Sequence, residues 1–280
     1  MDALTFNFNP RPLTVLDLCC GAGLASLGLE SAGLEIVAGV DVDAVALGAW
    51  RQNLSAPCHC KDVADIPHAV LPMAVDVVIT GPPCQDDSRL GRMHKDKGRG
   101  SVKAPALALA LAQRPTWVIM EVTLPGHLPW CHEQGARQTF KLVDHEQGGH
   151  TLRKRWFAVW GPADLQVPEV PEDRRTGWGA ALGQEGRLCS ESINLSDRRR
   201  LAREPEQPCH AVLGHGTSHV LYTPDGGRER MTTAQEAALQ GFPGLSMDGM
   251  NRYQRQTAVG NGWTRSFGYS IGKAIKGATA

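Results

Sequence analysis

The rhythm of the first 122 residues constrains this chain more than any other feature. Short apolar runs, "LTVLDL" at 13–18, "LEIVAGVDVD" at 34–43, "AVDVVITG" at 74–81 and "TWVIMEV" at 116–122, alternate with stretches of helical character. Apolar runs of this length suit strands buried on both faces, and strands separated by helices need crossover connections. The pattern predicts a βαβ series, and hence an α/β fold around a mainly parallel sheet. Helices are expected from the glycines of "CCGAG" to Gly33, across 43–53, and over "PALALALAQ", opened by its proline. A further strand is expected at "RWFAVWG", residues 155–161.

After residue 161 the texture changes to a stretch rich in Pro, Gly, Arg and Glu with little periodicity. It reads as a small irregular region between two parts of one domain, with boundaries at 1–161, 162–228 and 229–280. Order returns at "MTTAQEAALQGFP", where Thr233 and Glu236 fit a capping box, and a last helix is expected across 263–276.

Composition narrows the class of protein. Hydrophobic residues at 42% and charged residues at 21% support a sizeable core, and formal net charge is zero. Bulk charge therefore speaks neither for nor against a nucleic-acid partner; only local clusters can. The apolar run "APALALALA" is about half a membrane span, so no membrane partner is expected. The N-terminal stretch shows neither a basic segment nor an apolar one of the secretory kind. With eight cysteines this suggests reduced thiols and a cytoplasmic protein.

The turn "LDLCCGAG" follows the first strand. Glycines there let a ligand approach the backbone, and acids at later strand ends, Asp41 and Asp62, could accept hydrogen bonds from ribose or base. The glycine spacing does not complete a dinucleotide fingerprint. A structural glycine turn and a nucleoside site both remain open, with the strand-end acids Asp17, Asp41 and Asp62 favouring the nucleoside.

"GPPCQDDS" places Cys84 just after a strand end, behind two prolines. It can be a nucleophile, a metal ligand or an inert turn residue. A thiol near pKa ~8.5 needs a nearby charge, dipole or base before it attacks. A metal is not favoured, because "PCHC", "WCH" and "PCH" show none of the spacings of a zinc site. Glu121, ending an apolar strand, is costly unless paired or catalytic. Arg153 and Arg155 alternate in "TLRKR", as a bidentate anion site or a solvated charge cluster would.

In this order the motifs resemble those of the cytosine-5 DNA methyltransferases. "DLCCGAG" is similar to that family's first cofactor motif, "GPPCQ" to its nucleophile motif, and Glu121 to the acid of its Glu-Asn-Val motif. "TLRKR" resembles its Gln-x-Arg-x-Arg segment, and "MTTAQEAALQGFP" and "QTAVGNGW" its closing motifs. The resemblance covers roughly 12–160 and 228–276.

It implies a Rossmann-like class I methyltransferase sheet, a target-recognition region in the middle, and S-adenosylmethionine as cofactor. The implied cofactor contacts are Asp17, Cys19, Gly21, Gly23, Leu24, Asp41, Val42, Asp62, Val63, Pro82 and Asn261. The implied reaction is methylation of cytosine at its 5-position. Cys84 adds to the 6-position of a flipped base, Glu121 holds nitrogen 3 and the exocyclic amine, and Arg153 and Arg155 steady the nucleotide.

Residues 86–103 hold six Lys/Arg against three acids, and 251–276 hold five and no acid. Gln85, Ser88, Arg89, Arg92, Lys97 and Arg99 are thus candidates for contact with double-stranded DNA, as are Arg198, Arg199 and Arg200. A bacterial or phage-encoded monomer is implied, with a partner endonuclease as an option.

The chain departs from the family at Cys19 (usually Phe), Val42, Asp86-Asp87, Val122-Thr123, Thr151 and Trp263. These changes keep two alternatives in view. One is a catalytically weak nucleic-acid-binding protein of the same fold. The other is an enzyme with an altered transferred group or an RNA substrate.

Overall fold

The computed structural model describes residues 11–72, 74–83, 102–122, 124–191, 201–214 and 219–279. Among these, strands β1 (Thr14–Leu18), β2 (Glu35–Asp41), β3 (Cys58–Cys60), β4 (Val77–Thr80), β5 (Trp117–Val122), β6 (Gln138–Val143) and β7 (Lys154–Trp160) form one sheet. Its order is β3-β2-β1-β4-β5-β7-β6, parallel from β3 to β5, with β7 antiparallel to both of its neighbours.

Alternation along the strands sorts the core into two layers. Val15, Ile79, Ile119 and Phe157 join a cluster with residues of helices α1 (Leu24–Ser31) and α2 (Ala44–Asn53). Leu16, Val78, Met120 and Ala158 face the other way, onto α3 (Lys103–Ala112) and Cys131 of α4 (Leu128–Glu133). Both faces of the sheet are therefore covered, which explains why its strands read as nearly continuous apolar runs.

The C-terminal helix closes the first of these layers. Helices α5 (Trp178–Leu182), α6 (Thr233–Leu239) and α7 (Arg252–Asn261) precede α8 (Arg265–Thr279), which lies against α1. Gly28 and Gly268 meet at their crossing, where a Cβ on Gly268 would come 2.6 Å from Gly28 Cα. Only glycine permits so close a passage.

The anticipated strands and helices up to residue 122 are present, and three differences, at α3, β6 and α6, separate the structure from the sequence reading. α3 starts at Lys103, so its proline is the third residue rather than the first. Strand β6, "QTFKLV", escaped the sequence reading because its apolar and polar residues mix without a clear period. The capping box of α6 is built by Thr232 and Gln235, one residue before the expected pair. Glu236 is buried instead, where its carboxylate accepts from the backbone N–H of His219 at 2.9 Å and pairs with the His219 ring.

The stretch 162–228 is more ordered than its composition suggests. It contributes α5, β8 (Arg187–Ser190) and β9 (His219–Tyr222), and with β10 (Arg228–Arg230) these strands make an antiparallel sheet ordered β10-β9-β8. Its apolar residues Trp178, Leu188, Val212 and Leu221 share a cluster with Leu239 and Val259 of α6 and α7, and with Leu24. This second core is thus continuous with the C-terminal helices. No described helix is long and apolar enough to cross a membrane.

Candidate active site

In the parallel strands every carboxyl end lies on one edge of the sheet, where ligands of such folds bind. β7 runs the other way, so its beginning, not its end, reaches that edge. The topology therefore gathers there the turn after β1, the ends of β2 and β3, Gly81-Pro82-Pro83 after β4, Glu121 near the end of β5, and Arg155 near the start of β7.

On the β1–β3 side the backbone is bent to an unusual shape. Cys19, Gly21 and Gly23 all have positive φ, at 58°, 53° and 85°. A Cβ on Gly21 would meet nothing within 4 Å, so the turn is open above it, whereas one on Gly23 would strike Leu54 at 2.6 Å. Asp41 holds the turn together: one oxygen accepts from Gly21 N–H at 2.8 Å and the other from Asp43 N–H at 2.9 Å. Burial raises the Asp41 pKa, and these backbone hydrogen bonds work against the rise. A carboxylate offers about four acceptor positions, so Asp41 keeps capacity for further donors.

Beside it Val42 stands 53% exposed, an apolar surface next to polar groups. Asp62 is exposed and accepts from Ala64 N–H at 2.9 Å, while Val63 is buried. Asp17, expected at the cofactor, is sealed beneath the turn and takes a 2.7 Å hydrogen bond from Ser26 Oγ. Burial pushes its pKa up to about 8. Cys19 lies on the turn itself, its thiol driven by burial up to about 12 and so protonated at neutral pH. Leu24 and Pro82 are buried, and Asn261 is exposed at the end of α7, its side chain lying over Gly214.

On the β5–β7 side two charges meet. Glu121 opposes Phe157 in the strand register, and Arg155 lies on the same face of β7 as Phe157. Arg155 Nε pairs with Glu121 Oε1, with both side chains mostly buried. The contact is charge to charge rather than an aligned hydrogen bond, because no acceptor lies along the Nε–H direction. Arg155 Nη1 donates to Lys154 O at 2.8 Å. The other Glu121 oxygen faces Gly81, 3.6 Å from where a Cβ would stand.

Arg153 does not share this arrangement, which corrects its pairing with Arg155 at the base. Its side chain is fully buried, and Nη1 donates to Val212 O at 3.1 Å and Gly260 O at 2.8 Å. It clamps the 209–214 strap and the end of α7 onto β7. The strap also runs beside 150–152, with Leu152 N–H donating to Cys209 O at 2.8 Å and Cys209 N–H to His150 O at 2.9 Å. Burial lowers the Arg153 pKa to about 9, aided by the Arg155 charge, and the guanidinium stays charged at neutral pH. Thr151, in place of the family's glutamine, donates through its hydroxyl and its N–H to the buried Asp144 carboxylate, at 2.8 Å and 2.9 Å.

Cys84, Gln85, Ser88, Arg89, Arg92, Lys97, Arg99, Arg198, Arg199 and Arg200 lie outside the described residues. Asp86 and Asp87 do as well.

The model of the C-5 cytosine-specific DNA methylase family matches residues 13–122. The chain is 38% identical over 125 residues to the type II methyltransferase M.HgiDI of Herpetosiphon aurantiacus, a match covering 44% of this chain and 40% of that one. It is 36% identical over 125 residues to M.HgiGI of the same organism, covering 44% of this chain and 99% of that relative. The chain belongs to the cytosine-5 DNA methyltransferase family. A solved structure described as a DNA modification methyltransferase encoded within an E. coli prophage superposes on this chain with a TM-score of 0.70 at 16% identity. That superposition covers 95% of this chain and 99% of the other, and it establishes that the fold is shared.

Proposed function

We propose that this protein transfers a methyl group from S-adenosylmethionine to the 5-position of cytosine in double-stranded DNA, through a covalent adduct of Cys84 with a base flipped out of the duplex. The observation that carries this reading is the Glu121–Arg155 ion pair. It stands at the carboxyl edge, against the glycine that leads through Pro82 and Pro83 to Cys84. A carboxylate fixed there by a guanidinium has no structural need that a pair of apolar residues would not meet as well.

The β1–β3 edge fits the cofactor. Asp41 has acceptor capacity left for ribose hydroxyls, Val42 offers an apolar face to the adenine, and exposed Asp62 can accept from the exocyclic amine. Asp17 supports this site from below through Ser26 rather than by contact. When bound, S-adenosylmethionine supplies an electrophilic methyl group on a sulfonium.

The protein's own residues prepare the base to receive it. The Cys84 thiolate adds to carbon 6, and the electrons of the 5,6 double bond move toward carbon 5, which becomes nucleophilic. Glu121 accepts from the exocyclic amine and holds nitrogen 3, where charge builds as the adduct forms. Arg155 fixes that carboxylate and is a cation facing the ring. Once carbon 5 carries the methyl group, loss of its proton and departure of the thiolate restore the aromatic ring.

Bisulfite sequencing of DNA from cells expressing the protein tests the reading. Methylated cytosines at a fixed sequence are expected, and their absence from every context contradicts it.

A further inference from the structure

A groove of about 560 Å³ opens between the end of β10 and the first turns of α6 and α7, and the reaction described so far gives it no part. Arg230, Arg252, Arg255 and Thr233 line it, together with the buried side chains of Met231 and Met250. No acid is among the described residues that line it.

Each guanidinium is held differently. Glu191 accepts from Arg230 Nε and Nη2, at 3.0 Å and 2.7 Å, and so neutralises part of the charge. Arg255 Nε donates to Met250 O at 2.9 Å, which orients its side chain. Arg252 is exposed and has no ion pair among the described residues. Bringing three cations to one groove against one carboxylate is unfavourable unless an anion joins them.

The surroundings fit a polyanion better than a small acid. Residues 251–276 hold five Lys/Arg and no acid, so positive charge continues along the chain from the groove. On β10, alternation puts Arg228 on the same face as Arg230 and Glu229 on the other. Tyr253, 64% exposed beside Arg252, carries a phenol of the kind that donates to backbone phosphates. Helix α7 ties the groove to the proposed reaction site, because Gly260 near its far end accepts from Arg153. From Arg252 to Gly260 the helix rises about 12 Å, a distance that about four base pairs of duplex span.

We propose that this groove binds a phosphodiester of the DNA backbone outside the flipped base, Arg252 and Arg255 contacting its oxygens and Thr233 donating its hydroxyl beside them. The planar fork of a guanidinium suits two oxygens of one phosphate. Such contacts position a duplex and carry no sequence information. That the polyanion is DNA rests on the proposed function, whereas the anion site itself does not.

The test is the salt dependence of binding to duplex DNA, read by fluorescence anisotropy from about 50 to 300 mM salt. Each phosphate contact removed should lower the slope of log affinity against log salt by about one. Arg252→Ala, at an exposed position, should therefore lower it by about one, and Arg252→Ala with Arg255→Ala by about two. The double variant should also bind about tenfold more weakly at the lower salt. Arg252→Lys, which keeps the charge, should hold the wild-type slope, as a merely structural role would not require. A slope unchanged in Arg252→Ala and in the double variant overturns the proposal. So does inorganic phosphate that binds wild type and not the double variant while both hold DNA with the same slope, because the groove then takes free anions only. Should the slope fall in the variants while wild type methylates no cytosine, the cytosine reading fails and the groove stands.

Discussion

The two halves of the sheet's carboxyl edge use carboxylates in opposite ways. On the β1–β3 side Asp41 spends its oxygens on backbone N–H groups, and so fixes the shape of a turn. On the β5–β7 side Glu121 touches a guanidinium and keeps its other oxygen toward Gly81. The first arrangement builds a surface whose geometry matters. The second holds a charge whose position matters. Removing Asp41 should therefore damage binding, and removing Glu121 should damage chemistry.

The largest effect is expected where charge meets charge. Glu121→Gln and Arg155→Ala should each lower kcat by about a hundredfold or more, as loss of an electrostatic stabiliser does, with cofactor KM little changed. Single-turnover kinetics checks this, and a loss confined to KM would erase the distinction between the two halves.

Next comes Arg153, which sits two residues from Arg155 yet belongs to the framework. Arg153→Ala leaves the carbonyls of Val212 and Gly260 without their donor, together with a cavity, and should cost about 2–4 kcal/mol in urea unfolding. Arg155→Ala strips no such clamp, and what it costs comes instead from leaving the mostly buried Glu121 carboxylate without its cation.

Asp41→Asn keeps one acceptor oxygen where the turn uses two. Cofactor affinity by calorimetry should fall about tenfold, with kcat at saturation close to wild type. A kcat loss without an affinity loss would reverse the proposed roles.

The smallest effect is on pH dependence. Burial raises the Asp17 pKa to about 8 in the folded protein, from 3.8 when unperturbed. Between these values the folded state keeps a proton that the unfolded state has lost. Stability from this group is therefore full below about 3.8 and is lost progressively as pH rises to about 8. Asp17→Asn should flatten that decline in unfolding curves measured from pH 5 to 8.

The strands of the β1–β4 half were legible in the sequence because their signals are local. The runs 13–18, 34–43 and 74–81 declare buried strands, with Asp41 and Gly81 at the ends of two of them, whereas the three-residue β3 before Asp62 does not declare itself. The different fates of Arg153 and Arg155 were not legible. Alternation places both on one face of an extended chain, but what covers Arg153 comes from Val212 and Gly260, 59 and 107 residues away. Strands β8 to β10 were missed for a related reason. They are three or four residues long, and their apolar side chains find a core only when α6 and α7 supply it. Trp263 was visible as a departure, but its edge-on packing against Phe157 was not.

In the proposed reaction Cys84 attacks a cytosine held by Glu121 and Arg155. Duplex DNA bearing 5-fluorocytosine tests it most directly, because fluorine at carbon 5 blocks the last step and traps the adduct. Incubated with cofactor, wild-type protein should form a denaturation-resistant complex with such DNA, and Cys84→Ala should form none. An adduct that persists in Cys84→Ala, or wild type that forms none on DNA it is shown to bind, would contradict the account.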